Sequence, residues 1–340
     1  MPLSARDAVH EAQIESGTMG RLKGHEFEKT LTDLLNSSSY PKDLTKGPRN
    51  PLVTGNPALE LIKYVCQTEK IEIVSKVKAN WLGGLATYGQ GDSVKDNSGV
   101  VVKKSKSDIL IEIHDAKGAP FRTGVSVKTC DNPTPTNDQL FLSTAVGFCN
   151  LLRSRGIKVS SEAENALRMF CGDPGFRPTE RLEKPALSKR LSDHDRFFWE
   201  ELPQRGRDEL EETLARDQRK VTAILLQEAY DGDPYPPTYL LHQRVRYSEI
   251  NACPLAIFRI EELIDISCKA GFSKKPYTVK KGRYKGDPNI HEAPRFGFVQ
   301  FQRFGNVQNA TELQFNLMSG YFNKIELGQL AGSATAVGRG

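Results

Sequence analysis

Two short runs of β-branched residues on either side of a turn constrain this chain most. Lys106-Ser107-Asp108-Ile109-Leu110-Ile111-Glu112-Ile113 and Val125-Ser126-Val127-Lys128-Thr129 are dominated by Ile and Val and alternate polar with apolar positions, the pattern of two strands. Between them, His114 to Pro120 (HDAKGAP) has the Asp, Gly and Pro of a turn. Strand geometry puts Asp108 on one face of the first strand, and Ser126 and Lys128 together on one face of the second. If the strands pair, a carboxylate, a hydroxyl and an ammonium converge at one edge of a hairpin. A carboxylate that can hold Mg²⁺ beside a lysine that can orient water is the chemistry that hydrolyses a phosphodiester. An Asp in one strand and a Lys in the next also describes an exposed cross-strand salt bridge. Taken alone, the pair leaves both readings open.

Around this hairpin the chain divides into recognisable pieces. Met19 to Asn36 predicts a helix capped by Thr18, with Leu22, Phe27, Leu31, Leu34 and Leu35 as its apolar stripe. Ala58 to Cys66 predicts a short helix and Glu69 to Lys78 a strand. Leu82 to Gly99 is glycine-rich and predicts a flexible surface segment. After the loop at Asp131 to Asn137, a helix is expected from Asp138 to Arg155, ended by Gly156. Ser161-x-x-Glu164 has the form of a capping box. A long amphipathic helix is expected from Gly206 to Tyr230, and strands at 239–246, 254–260 and 295–304. The expected fold class is α/β: a mixed central sheet flanked by helices, with a C-terminal α+β region. Residues 1–160 are expected to form the catalytic core and 161–327 a recognition region packed on it. The small-residue tail, 328–340, is expected to be disordered.

Charge and cysteine usage narrow the setting without naming a partner. A net charge of +5 is too small to establish nucleic acid binding on its own. No apolar run approaches the ~20 residues needed to cross a bilayer, and the charged N-terminus lacks the apolar stretch of a signal peptide. The six cysteines, at 66, 130, 149, 171, 253 and 268, form no CxxC, which reads as reduced thiols rather than a zinc site or disulfide framework. A cytoplasmic protein with no membrane association is the expectation.

Three features shift the balance at the hairpin. Asp108 precedes an Ile-Leu-Ile run and so sits at the mouth of a buried strand. Lys128 ends its strand just before a Pro-rich loop. Upstream, Gly24-His25-Glu26-Phe27-Glu28 offers a second carboxylate on the preceding helix.

A helix glutamate, a hydrophobic-flanked Asp and a hydrophobic-x-Lys in this order resemble the PD-(D/E)xK nucleases, in particular the small type II restriction endonucleases that cut four-base sites. The resemblance runs over residues 18–156, through Arg21-Leu22-Lys23-Gly24-His25-Glu26-Phe27-Glu28, Lys106-Ser107-Asp108, Val125-Ser126-Val127-Lys128 and a helix over Gln139–Arg155. It implies an enzyme of a restriction-modification system that hydrolyses double-stranded DNA at a short sequence with Mg²⁺ as cofactor, leaving a 5′-phosphate. It further implies Asp108, Ser126, Lys128 and Glu28 as catalytic residues, with Asp108, the Val127 carbonyl and Glu28 holding the metal. Two positions depart from the pattern. Ser126 stands where an acid is usual, and Ser107 where the motif has Pro. A catalytically silent DNA-binding protein on the same fold and a repair or nicking nuclease of the same superfamily are the alternatives.

The DNA contacts are expected from the C-terminal half. From Ile266 to Gly286 there is no acidic residue, while Lys274, Lys275, Lys280, Lys281, Arg283 and Lys285 are interleaved with aromatics and glycines. Arg295, Gln300, Gln302 and Arg303 are side chains able to make bidentate contacts to base edges. Whether the protein acts as a monomer or a homodimer is not legible in the chain.

Overall fold

The computed structural model describes residues 8–40, 44–85, 90–115, 120–129, 139–178, 197–228, 232–243, 249–271, 277–279, 291–297, 299–303 and 312–317. In chain order the elements are α1 (Ala8–Ser37), β1 (Leu52–Gly55), α2 (Pro57–Glu69), β2 (Val74–Trp81), β3 (Ile109–Asp115), β4 (Phe121–Thr129), β5 (Gln139–Thr144), α3 (Ala145–Ser154), α4 (Ser161–Cys171), α5 (Gln204–Arg216), α6 (Gln218–Gln227), β6 (Pro237–Gln243), β7 (Cys253–Arg259), α7 (Ile260–Ala270), β8 (Tyr277–Val279), β9 (His291–Ala293), β10 (Arg295–Phe296), β11 (Val299–Arg303) and β12 (Glu312–Leu317). They fall into two compact units. One is built from the described residues up to 129 together with those of 226–263, the other from those of 139–225 and 264–318.

The first unit is a mixed sheet flanked by helices, as the sequence predicts. Its six strands run in the order β1-β7-β6-β4-β3-β2, antiparallel throughout except for the parallel pair β4–β6. Ile109, Ile111 and Ile113 of β3, with Val125 and Val127 of β4, face one side and pack with Phe27, Leu31 and Leu35 of α1 and Leu61, Ile62 and Val65 of α2. The ends of α2 are set locally. The Asn56 side chain accepts hydrogen bonds from the Ala58 and Leu59 amides, Pro57 opens the first turn, and Lys70 closes the helix in the left-handed conformation. Where β4 meets the loop before β6 there is no room for a side chain. A Cβ on Gly124 would overlap Ser107 Oγ and lie 2.9 Å from the carbonyl oxygens of Pro236 and Tyr235. Gly124→Ala is therefore expected to lower stability by roughly 1–3 kcal/mol, read as a lower urea midpoint; an unchanged midpoint would show that the strand junction yields freely.

Several local expectations change in the folded chain. α1 begins at Ala8, so Thr18 lies inside it rather than capping it. The helix expected from Asp138 opens instead as strand β5, and Thr144 caps α3 by accepting from the Gly147 amide. Pairing of β5 with β12 decides this, with Leu140 opposite Phe315, a partner no local window contains. The single helix over 206–230 is two, because Asp217 leaves helical geometry to end α5 and its carbonyl accepts from Val221 at the start of α6. Ser160 rather than Ser161 caps α4, accepting from the Ala163 amide. The described part of 82–99 folds onto the sheet: Leu82, Val102, Leu110 and Tyr235 bury one another, with Leu85 and Val94 alongside.

In the second unit, β10-β11-β12-β5 form an antiparallel sheet, and β8–β9 a separate pair. Among the described cysteines all five are free thiols, four of them buried. No described helix is long and apolar enough to cross a membrane.

Candidate active site

Asp108 is the residue just before β3, and its backbone is clamped there. Its amide donates to the Val125 carbonyl at 2.9 Å, and its own carbonyl accepts from the Leu82 and Gly83 amides at 2.8 and 2.9 Å. Antiparallel pairing of Ile109 with Val125 then brings the start of β3 beside the end of β4. Asp108 Oδ2 accepts from the Val127 amide at 2.6 Å, Ser126 Oγ at 3.2 Å and Lys128 Nζ at 3.4 Å. The three hairpin residues named from the sequence thus meet on one carboxylate oxygen. The Asp108–Lys128 pair is not the exposed cross-strand salt bridge of the alternative reading, since the two side chains retain only 18% and 22% of their exposure.

Glu28, the fourth residue, arrives from α1. It is 7% exposed, and its Oε2 accepts from Trp81 Nε1 at 2.7 Å. Burial first, and then the Asp108 charge, pushes its carboxyl up to about 8, against the opposing pull of the Trp81 hydrogen bond and Lys128. The Trp81 ring is itself held between helix side chains, with Lys29 Nζ 4.4 Å from its centroid and the His25 ring edge-on at 5.6 Å. A backbone without a side chain makes this seat possible, because a Cβ on Gly83 would overlap the Glu28 carboxylate. Gly83→Ala is expected to displace Glu28 from Trp81, shifting tryptophan fluorescence and cutting any Mg²⁺-dependent activity about tenfold or more. Unchanged emission and activity would show that Glu28 has room to move.

Sequence reasoning had no signal for Trp81 or Gly83, nor for the brace behind Asp108. Ser107, in the place of the motif's Pro, is fully buried and donates from Oγ to the Tyr235 carbonyl at 2.6 Å. Ser105 Oγ donates to that carbonyl and to Asp233 Oδ2, both at 3.2 Å, and Asp233 Oδ2 also accepts from the Lys106 amide at 2.6 Å. Lys106 is half-buried, and its ammonium lies within electrostatic reach of Lys128, Asp108 and Asp233. Burial and the nearby Lys128 charge push it down to about 8, opposed by Asp108 and Asp233. The motif Lys106-Ser107-Asp108 shows this residue, but nothing in the string marks it as a second cation near Asp108.

The donor set suits a hard divalent cation. Lys128 Nζ donates both to Asp108 Oδ2 and, at 2.9 Å, to the Val127 carbonyl, so these two oxygens already converge on one cationic group. Glu28 adds a carboxyl group whose pKa is raised first by burial and then by the Asp108 charge, so a cation held beside it would favour its ionised form. No group of three or more His, Cys, Asp or Glu fit to hold a metal occurs among the described residues. Two carboxylates and a carbonyl, with water completing the shell, are a ligand set that Mg²⁺ accepts. Glu112 is not part of it, being paired with Arg122 and His114.

The expected DNA contacts Lys274, Lys275, Lys280, Lys281, Arg283 and Lys285 lie outside the described residues. Arg295 stands in β10, and Gln300, Gln302 and Arg303 in β11, all in the second unit. The pairing places Arg295 opposite Gln300.

No protein-family model and no curated protein matches the chain. Among solved structures it is similar to the restriction endonuclease MspI in complex with its cognate DNA, at 13% sequence identity and a TM-score of 0.47, over 89% of this chain and 92% of that one. A likeness this distant bears on neither residue roles nor chemistry.

Proposed function

We propose that this chain is a Mg²⁺-dependent endonuclease that hydrolyses phosphodiester bonds of double-stranded DNA at a short specific sequence, in the manner of type II restriction enzymes. The observation that carries this reading is the meeting of Asp108, Ser126, Lys128 and the buried Glu28 at one end of the β3–β4 hairpin. Asp108, the Val127 carbonyl and Glu28 would hold Mg²⁺, which when bound supplies Lewis-acid stabilisation of charge on the scissile phosphate. Lys128, anchored through the Val127 carbonyl, orients the attacking water by donating from Nζ. The Ser126 hydroxyl and the Val127 amide keep Asp108 in a single orientation by donating to Oδ2. Fixed donors of this kind act without reorganising as charge develops.

The test is incubation with plasmid or phage DNA, with Mg²⁺ and with EDTA. Discrete fragments that require Mg²⁺ support the reading, and random nicking points to a repair-type nuclease. Binding without cutting would instead favour the silent protein, in which Ser126 leaves the metal too weakly held.

A further inference from the structure

On the face of the sheet that carries Leu110, away from the isoleucine core, register places Lys78, Glu112 and Arg122 in one cross-strand row over β2, β3 and β4. A cleft of about 230 Å³ opens there, lined by Lys78, Lys95, Arg122, Glu112, Asn80 and Tyr235 with the chain at Ser93–Val94. Its one lining carboxylate is already engaged, because Glu112 accepts from Arg122 Nε at 2.6 Å and pairs with His114 Nε2 at 2.7 Å. Lys78 and Lys95 are exposed, and among the described residues neither ammonium has an ion-pair partner. Positive charge therefore exceeds negative in a cleft that also presents amide and hydroxyl groups. That chemistry recognises a phosphate.

Lys95 belongs to a turn that is built rigidly. Asp96 Oδ1 accepts from the Ser98 and Val100 amides, Gly99 closes the turn with a positive φ of 82°, and the Val102 amide donates to the Val94 carbonyl. Val100 and Val101 stay exposed at its tip, and the exposed Lys103 and Lys104 follow it toward Asp108. Tyr235 joins the turn to the hairpin site: its hydroxyl donates to the Lys95 carbonyl at 2.9 Å, while its own carbonyl accepts from Ser107 Oγ. Glu112 is four residues along β3 from Asp108, about 13 Å at strand rise. Measured along the axis of a duplex, that span equals about four base-pair steps.

We infer that this cleft holds a backbone phosphate of the DNA duplex, gripped by Lys78, Lys95 and Arg122, while another phosphate lies at Asp108. The inference rests on the nuclease reading and adds to it a contact surface outside the C-terminal basic stretch. A polymer's phosphate fits better than a free one, because the lysines continue along the chain from the cleft toward the hairpin site.

The experiment uses the full chain, a labelled random-sequence duplex and EDTA, with affinity measured across a salt series. The Lys78→Ala/Lys95→Ala double variant is expected to bind about tenfold more weakly, with a log–log salt slope shallower by about 0.9 for each phosphate that is no longer neutralised. The weakening should be the same on any sequence, since phosphate contacts carry no base information. Unchanged affinity and slope in the variant, with the wild type binding this duplex and cutting plasmid DNA once Mg²⁺ is supplied, overturn the cleft alone. Saturable binding of inorganic phosphate that the variant abolishes, with DNA affinity untouched, also overturns it. A wild type that neither binds nor cuts DNA overturns the nuclease reading itself.

Discussion

Asp108→Asn is expected to abolish Mg²⁺-dependent DNA cleavage while leaving the fold in place. The asparagine carbonyl still accepts from the Val127 amide, so the 2.6 Å clamp on the start of β3 survives. What disappears is the negative charge that pairs with Lys128 and that a bound Mg²⁺ would share. Asp108→Ala is a poorer probe, because it removes the acceptor of the Val127 amide and of Ser126 Oγ, while Lys128 Nζ keeps the Val127 carbonyl. Leaving buried donors unpaired costs about 1–3 kcal/mol each, and a misfolded variant would mimic a dead site. Lys128→Ala is expected to slow cleavage about 10²–10³-fold, the usual effect of removing one fixed electrostatic donor. Plasmid cleavage rates, read beside thermal melts, check both variants. Wild-type rates in either would place the chemistry elsewhere.

Glu28 carries the second large effect, on stability rather than rate. Its folded-state pKa of about 8 lies well above the 4.5 of an ordinary glutamate. Between those values the folded chain keeps a proton that the unfolded chain has released. The stability this contributes is complete below pH 4.5 and is lost as pH rises through 8. At roughly 1.4 kcal/mol per unit, the loss across the window is on the order of 5 kcal/mol. Glu28→Gln keeps an acceptor for Trp81 Nε1 and cannot ionise. In EDTA, its melting temperature is expected to match the wild type near pH 5 and to exceed it clearly near pH 8.5. Parallel pH profiles for the two proteins would mean that Glu28 is hydrated in solution.

The hairpin was legible in the sequence because everything that makes it is local. Alternation, a turn of Asp, Gly and Pro, and strands one turn apart specify which side chains share an edge before any long-range contact forms. Glu28 was legible only through its order relative to the hairpin, as part of a family pattern. Trp81 and Gly83, which hold Glu28 in its buried seat, were not legible, because their effect depends on α1 crossing the end of β2 at one particular distance. Tyr235 was equally hidden, lying more than a hundred residues from the Ser107 it braces. The change at 139–144 has the same root. Gln139–Thr144 suits a helix as well as a strand, and pairing with Glu312–Leu317 tips it.

By itself, then, the sequence determined the pair of strands, the chemical groups they bring to one edge, and an α/β class. Those follow from periodicities of two and 3.6 residues, which act over a few neighbours. Only the tertiary structure decided that β6 enters parallel to β4, that Glu28 is desolvated against Asp108, and that Lys78, Lys95 and Arg122 line one cleft. Those depend on burial and on charges brought together from distant parts of the chain, and neither quantity exists until the core has closed.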